Sequence, residues 1–187
     1  AKYHAGRIYA QVALEVERLT RAYEADLDKA GLYKLLNAQR LQGDLDMAKG
    51  KAIVARSREL AASYKAKSLD LVKQGDARIQ ALDTDEETRA RLAASWERHE
   101  AEARAEVDEA WRLENAVIDR MADVADLLAR AKGKWRVSGE SLSFDRSEDT
   151  ADYNRRVAAM RAAMQTQETF QSQAQKKAFK RLLELAK

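Results

Sequence analysis

Two kinds of hydrophobic pattern run through the chain, and together they predict long helices and one β-hairpin. From Trp135 to Phe144, apolar residues alternate with polar ones on either side of a short loop that contains Gly139. Such alternation around a glycine-containing loop is typical of a hairpin. The alternate residues share one face, so we expect the hairpin to cover one end of a hydrophobic core; they are Trp135, Val137, Leu142 and Phe144.

Elsewhere apolar residues recur at steps of three and four, as in amphipathic helices. We expect Gly31 to end the first helix, Asp44 to cap the second, Thr84 with Glu87 to form a capping box for the third, and Ser147 to cap the fourth. The segment 32–43 is predicted to be a short helical turn or an ordered connection that links the first two helices. The predicted helices span about residues 3–30, 44–82, 84–132 and 148–186.

Two glycines lie inside the second helical pattern, at Gly50 and Gly75. Each costs about 1 kcal/mol relative to alanine in a helix interior. Close approach of another helix would explain the glycine at position 50. A bend in the helix at Gly75 is equally possible.

Four long helices with short links predict an all-α fold: an elongated antiparallel up-down four-helix bundle, in one domain, with the hairpin at 135–144 between helices three and four. The absence of proline from the 187 residues removes the commonest helix breaker. Because no stripe keeps a strict seven-residue repeat, an intramolecular bundle is favoured over a two-stranded coiled coil.

Composition and charge exclude several classes of protein. The chain has no cysteine, which excludes disulfides and zinc–thiolate sites. The net charge is +3, and the segment 83–132 is acidic while the others are basic. A nucleic-acid-binding protein should concentrate positive charge on one face, so we expect no nucleic-acid partner. No run approaches the roughly 20 apolar residues of a transmembrane helix, and none is predicted.

The chain shows no catalytic, metal or cofactor motif. Its only imidazoles are His4 and His99, and the residues three positions before them are Ala1 and Trp96. A di-metal bundle would need a glutamate at those positions. Phosphate-binding glycine loops and nucleophile elbows are also absent from the sequence. We therefore predict a protein that is not an enzyme and uses no metal and no cofactor.

The acidic run in the third helix is interleaved with arginines. Glu100 precedes Arg104, and Asp108 precedes Arg112, each by four residues in the favourable order. This pattern predicts a solvated, salt-bridged helix face.

The last helix carries two unusual stretches. Gln165–Gln175 contains five glutamines and only one large apolar residue, Phe170, which predicts an exposed helix middle or a partner contact through amide hydrogen bonds. The basic tail suits the C-terminal end of a helix dipole and could also lie on an anionic membrane; it consists of Lys176, Lys177, Lys180, Arg181 and Lys187.

A resemblance covers about residues 135–175. Gly139, Leu142, Ser143 and Phe144, then Tyr153-Asn154 and the glutamine-rich helix, resemble the C-terminal part of poorly characterised helical lipoproteins of the Gram-negative cell envelope. The chain departs from them in lacking the lipid-bearing cysteine. The resemblance implies an envelope location and a non-enzymatic helical protein. The first residue is alanine rather than methionine, which favours removal of a signal peptide or anchor.

We therefore predict a helical interaction or structural module with an unidentified protein partner, periplasmic or tethered to the membrane. The alternatives are a cytoplasmic coiled-coil scaffold or assembly factor, and a small-molecule or lipid binder with a cavity between helices. The candidate interaction residues are Trp135, Val137, Leu142, Phe144, Tyr153 and Phe170.

Overall fold

The computed structural model describes residues 2–185, with the side chains of residues 8, 10–177 and 180. Within this range the fold is helical with one hairpin between the third and fourth long helices, and that prediction is confirmed. Residue 186, where the last helix was predicted to end, lies outside it. The elements are α1 (Lys2–Ala30), a 3₁₀ turn (Leu32–Lys34), α2 (Ala38–Gln42), α3 (Ala48–Gln80), α4 (Glu86–Arg130), β1 (Trp135–Ser138), β2 (Ser141–Phe144) and α5 (Ser147–Leu185).

The chain divides into two compact units, and each unit contains a segment of all four long helices. Unit 1 comprises Ala1–Ala22, Ala62–Trp111 and Thr169–Lys187, and unit 2 comprises Tyr23–Ala61 and Arg112–Glu168. The single domain stays a prediction.

The core of unit 1 forms around Trp96 of α4. Its indole is 4% exposed and packs with Ile8 and Ile79. Gly75 of α3 faces this ring so closely that a Cβ atom there would lie 1.7 Å from the Cζ2 atom of Trp96. Close approach, and not a bend, therefore explains the glycine at position 75.

The connection from α1 to α3 contains a 3₁₀ turn and the short helix α2. Gly31 ends α1 in the left-handed conformation, with φ 90°, as its position suggested. The short α2 follows, and the Oδ1 atom of Asn37 caps it by accepting hydrogen bonds from the amides of Gln39 and Arg40. The second long helix consequently begins at Ala48 rather than at residue 44.

Asp44 does cap α3, although it lies four residues before the first residue of that helix. Its side chain accepts hydrogen bonds from the Lys49 amide (3.0 Å) and the Gly50 amide (2.8 Å), and it pairs with Arg40 at 2.5 Å. The chain reaches this arrangement because Met47 takes a left-handed conformation, with φ 57°. A Cβ at Gly50 would lie 2.6 Å from the Met47 methyl carbon. The Arg40 side chain of α2 lies 3.2 Å from the same position. Gly50 therefore accommodates a close approach, which comes from α2 and the loop that follows it.

Replacing Asp44 by Asn is expected to lower the free energy of unfolding by about 2 kcal/mol at pH 7, because the buried charge-assisted hydrogen bonds are lost. Burial opposes ionisation of this carboxyl, yet its hydrogen bonds with Arg40, Lys49 and Gly50 hold its pKa below the ordinary 3.8. The stabilisation is therefore present above pH 3.8 and is lost as the pH falls through the lowered value. Urea unfolding at pH 7 and at pH 3 measures both effects.

The matched control for this substitution is Asp126→Asn. Asp126 of α4 also forms an ion pair, with Lys51 of α3, but the charged atoms are 3.6 Å apart and the Asp126 side chain is 57% exposed. Exposed pairs contribute little, so this variant should unfold like the parent protein. An equal loss of stability in the two variants would contradict the role given to Asp44.

The caps of the last two helices also differ from the prediction. The Oδ1 atom of Asp85, rather than the Thr84 side chain, accepts the Thr88 amide at 2.7 Å, and α4 begins at Glu86. This hydrogen bond lowers the pKa of Asp85. The Thr84 carbonyl instead accepts from the Arg89 guanidinium at 3.0 Å. Ser147 lies inside the first turn of α5 and not before it.

Candidate interaction surface

The hairpin has the two-residue turn that its sequence favours. Gly139 has φ 62° and Glu140 follows it, so the glycine occupies the first central position, where a type II′ turn requires it. The register pairs Trp135 with Phe144 and Val137 with Leu142. The four alternating apolar residues therefore lie on one face of the two strands.

This apolar face packs on a buried cluster of unit 2. Trp135 is 5% exposed, and its Nε1 atom donates a hydrogen bond to the Leu128 carbonyl at 2.8 Å. The Phe144 and Tyr153 rings contact each other, with centroids 5.3 Å apart. Burial raises the pKa of the Tyr153 hydroxyl. The cluster consists of Leu41, Met47, Val124, Ala125, Leu128, Ala131 and Trp135, with Val137, Leu142, Phe144, Tyr153 and Val157 packed against it.

Five of the six candidate residues thus meet in one cluster, and Phe170 does not. Phe170 is half-buried and belongs to unit 1. Around it the glutamine-rich stretch faces solvent: Gln165, Gln171, Gln173 and Gln175 are exposed.

The remaining glutamine of that stretch, Gln167, is half-buried and contributes to a polar network that the sequence did not indicate. Its amide donates to Glu114 of α4, and the Tyr23 hydroxyl of α1 donates to the same carboxylate at 2.6 Å. Burial and the Glu114 charge raise the pKa of Tyr23. Both carboxylate oxygens of Glu114 therefore accept hydrogen bonds from neutral donors, and the network joins α1, α4 and α5 within unit 2.

The acidic run of α4 forms salt bridges, though not all with the predicted partners. Arg104 pairs with Glu100 at 3.0 Å, as predicted. Asp108 pairs with Lys65 of α3 at 2.7 Å. The Nδ1 atom of His99 lies 2.6 Å from the Ser95 carbonyl oxygen, four residues earlier on the helix. Within residues 2–185, no group of three or more histidine or acidic side chains could hold a metal ion.

A family model matches residues 16–178, which include the hairpin, the Glu114 network and nearly all of the glutamine-rich helix. The chain belongs to that family, described as Protein of unknown function (DUF3053). No curated protein and no solved structure matches the chain. None of the helices in the described part of the chain has the length and apolar character needed to cross a membrane.

Proposed function

We propose that this member of the DUF3053 family is a non-enzymatic helical interaction or structural module of the bacterial cell envelope, and that its partner binds along α5. The observation that carries the proposal is the low burial of this helix. Among its described side chains, at positions 147–177 and 180, none is fully buried. The helix therefore contacts the rest of the protein on one side and presents the other side to solvent.

The part of that surface with the most distinctive chemistry is named the amide face. It lies within unit 1 and consists of Gln171, Ser172 and Gln175, which are all exposed and uncharged. Gln171 and Ser172 precede Gln175 by four and three residues, so the three lie on one side of the helix. Amides both donate and accept hydrogen bonds, and a neutral group costs less to remove from water than a charge.

The non-enzymatic part of the proposal is supported by the sequence, which contains no phosphate-binding glycine loop and no nucleophile elbow. The half-buried Glu114 carboxylate has a structural role, because its hydrogen bonds with Tyr23 and Gln167 join three helices. The envelope location is supported by the resemblance over residues 135–175, in which a helix leads into a short strand pair and a helix containing Tyr153-Asn154 follows.

Site-specific photo-crosslinking in cells tests the interaction. A photoreactive phenylalanine analogue placed at Gln175 is expected to give one discrete adduct, whereas the same residue at Lys73, exposed on α3, gives none. Differently tagged copies in one cell show whether the adduct contains a second copy. No adduct at Gln175, or equal adducts at both positions, would reject the amide face as the binding surface.

Protease treatment of intact and osmotically shocked cells tests the location independently. An envelope protein facing the periplasm is digested once the outer barrier is opened, while a cytoplasmic control protein survives. Survival together with the control would reject the envelope location and favour the cytoplasmic scaffold.

A further inference from the structure

A cleft of about 440 Å³ opens in the connection between α1 and α3. Its volume falls within the range of about 300–1,000 Å³ typical of small-molecule sites. Two cationic side chains, two amides and an apolar wall line it, and no carboxylate does; the lining residues are Gly31, Lys34, Asn37, Gln39, Arg40 and Ile53.

Two polar side chains of this cleft, Arg40 and Asn37, are held in position before any ligand binds. Arg40 donates from Nε to the Leu35 carbonyl at 2.7 Å, from Nη1 to Asp44 at 2.5 Å and from Nη2 to the Met47 sulfur at 3.6 Å. A guanidinium has five N–H donors, so these three bonds fix the group and leave two donors for a ligand. The Oδ1 atom of Asn37 accepts two backbone hydrogen bonds, which leaves its NH₂ group as the available end. Side chains fixed in this way lose little entropy on binding.

The charge and shape of the cleft specify the ligand class. Asp44 neutralises Arg40, while Lys34 is exposed and has no ion pair with any residue that the structure describes. The cleft therefore carries about one net positive charge, which suits a monoanion better than a phosphate dianion. Gly31 has no side chain, and a Cβ there would lie 3.4 Å from the Ile53 Cδ1 atom, so the glycine keeps the apolar wall open.

We propose that this cleft binds a small organic monoanion, with its carboxylate between Lys34 and Arg40 and a short apolar chain against Ile53. The proposal is independent of the amide face, because it requires neither a protein partner nor an envelope location.

Nuclear magnetic resonance titration of the full chain with hexanoate tests it. Saturable shifts are expected at the amides of Lys34, Asn37 and Ile53. Hexanol has the same apolar part without the charge, and inorganic phosphate has charge without the apolar part. Both are expected to bind at least ten-fold more weakly. Hexanol or phosphate binding as tightly as hexanoate, or no saturable shift with hexanoate, would overturn the proposal.

A charge-matched pair of variants isolates the contribution of the lysine. Lys34→Gln is expected to weaken hexanoate binding about ten-fold, the usual size of one lost charge-assisted hydrogen bond. Lys73→Gln removes the same charge from an exposed position on α3 and should leave the affinity unchanged. Both side chains are exposed, so both variants should keep the parent's thermal midpoint. Equal affinities in the two variants would refute the assignment of Lys34.

Discussion

Replacing Gly75 by Ala is expected to destabilise the protein by about 3 kcal/mol, although alanine is the better helix former. The added methyl group would lie 1.7 Å from one carbon of the Trp96 ring, with two more ring carbons within 2.3 Å. A buried indole is rigid, so either the ring or α3 must move, and overpacking of this kind commonly costs about 1–3 kcal/mol. Urea unfolding monitored by circular dichroism gives the change.

The effect of Gly75→Ala on the free energy of unfolding should change sign once the Trp96 ring is removed. In a Trp96→Ala background, which alone should cost about 3–5 kcal/mol, Gly75→Ala is expected to stabilise the protein by about 1 kcal/mol through helix propensity. Ala77→Gly, at an exposed position of α3, measures the effect of the difference in helix propensity alone in the parent protein. An equal cost of Gly75→Ala in both backgrounds would show that the indole does not press on α3.

Replacing Trp135 by Ala is expected to lower the free energy of unfolding by about 3–5 kcal/mol, the range for loss of a large buried aromatic side chain. The ring is 5% exposed within the hairpin cluster, and its N–H satisfies the Leu128 carbonyl. Trp135→Phe keeps most of the ring but loses the donor, so it should cost less.

The comparison for this substitution is Ser138→Ala, on the opposite face of the same strand and exposed. A surface substitution there should change the free energy of unfolding by no more than about 0.5 kcal/mol. If Trp135→Ala left thermal unfolding unchanged, the ring would be exposed in solution, and the hairpin would become a candidate binding element instead of a cover for the core.

The features that the sequence predicted are those encoded within a few residues. The hairpin follows from alternation between Trp135 and Phe144 and from one glycine at the turn. The long helices follow from apolar spacing, and Gly31 marks the end of the first because a left-handed residue there suits glycine best.

The features that the sequence did not predict depend on distant partners or on unfavourable local geometry. The start of α3 depends on Met47 in a left-handed conformation, which no helix propensity indicates. The Glu114 carboxylate meets a tyrosine 91 positions away and a glutamine 53 positions away. Gly75 and Trp96 lie on different helices, so their spacing in the sequence carries no sign of the contact.

The three tryptophans allow the unfolding of unit 1 and of unit 2 to be measured separately. Trp96 and Trp111 belong to unit 1, where the Trp111 Nε1 atom donates to the Ser68 hydroxyl at 3.3 Å, and Trp135 belongs to unit 2. Biosynthetic 5-fluorotryptophan would give each indole its own fluorine resonance without altering the sequence. If the chain is a single domain, all three native signals should vanish at one denaturant concentration, as two-state unfolding requires. Two separated midpoints, with Trp135 apart from the other pair, would instead divide the protein into two folding units.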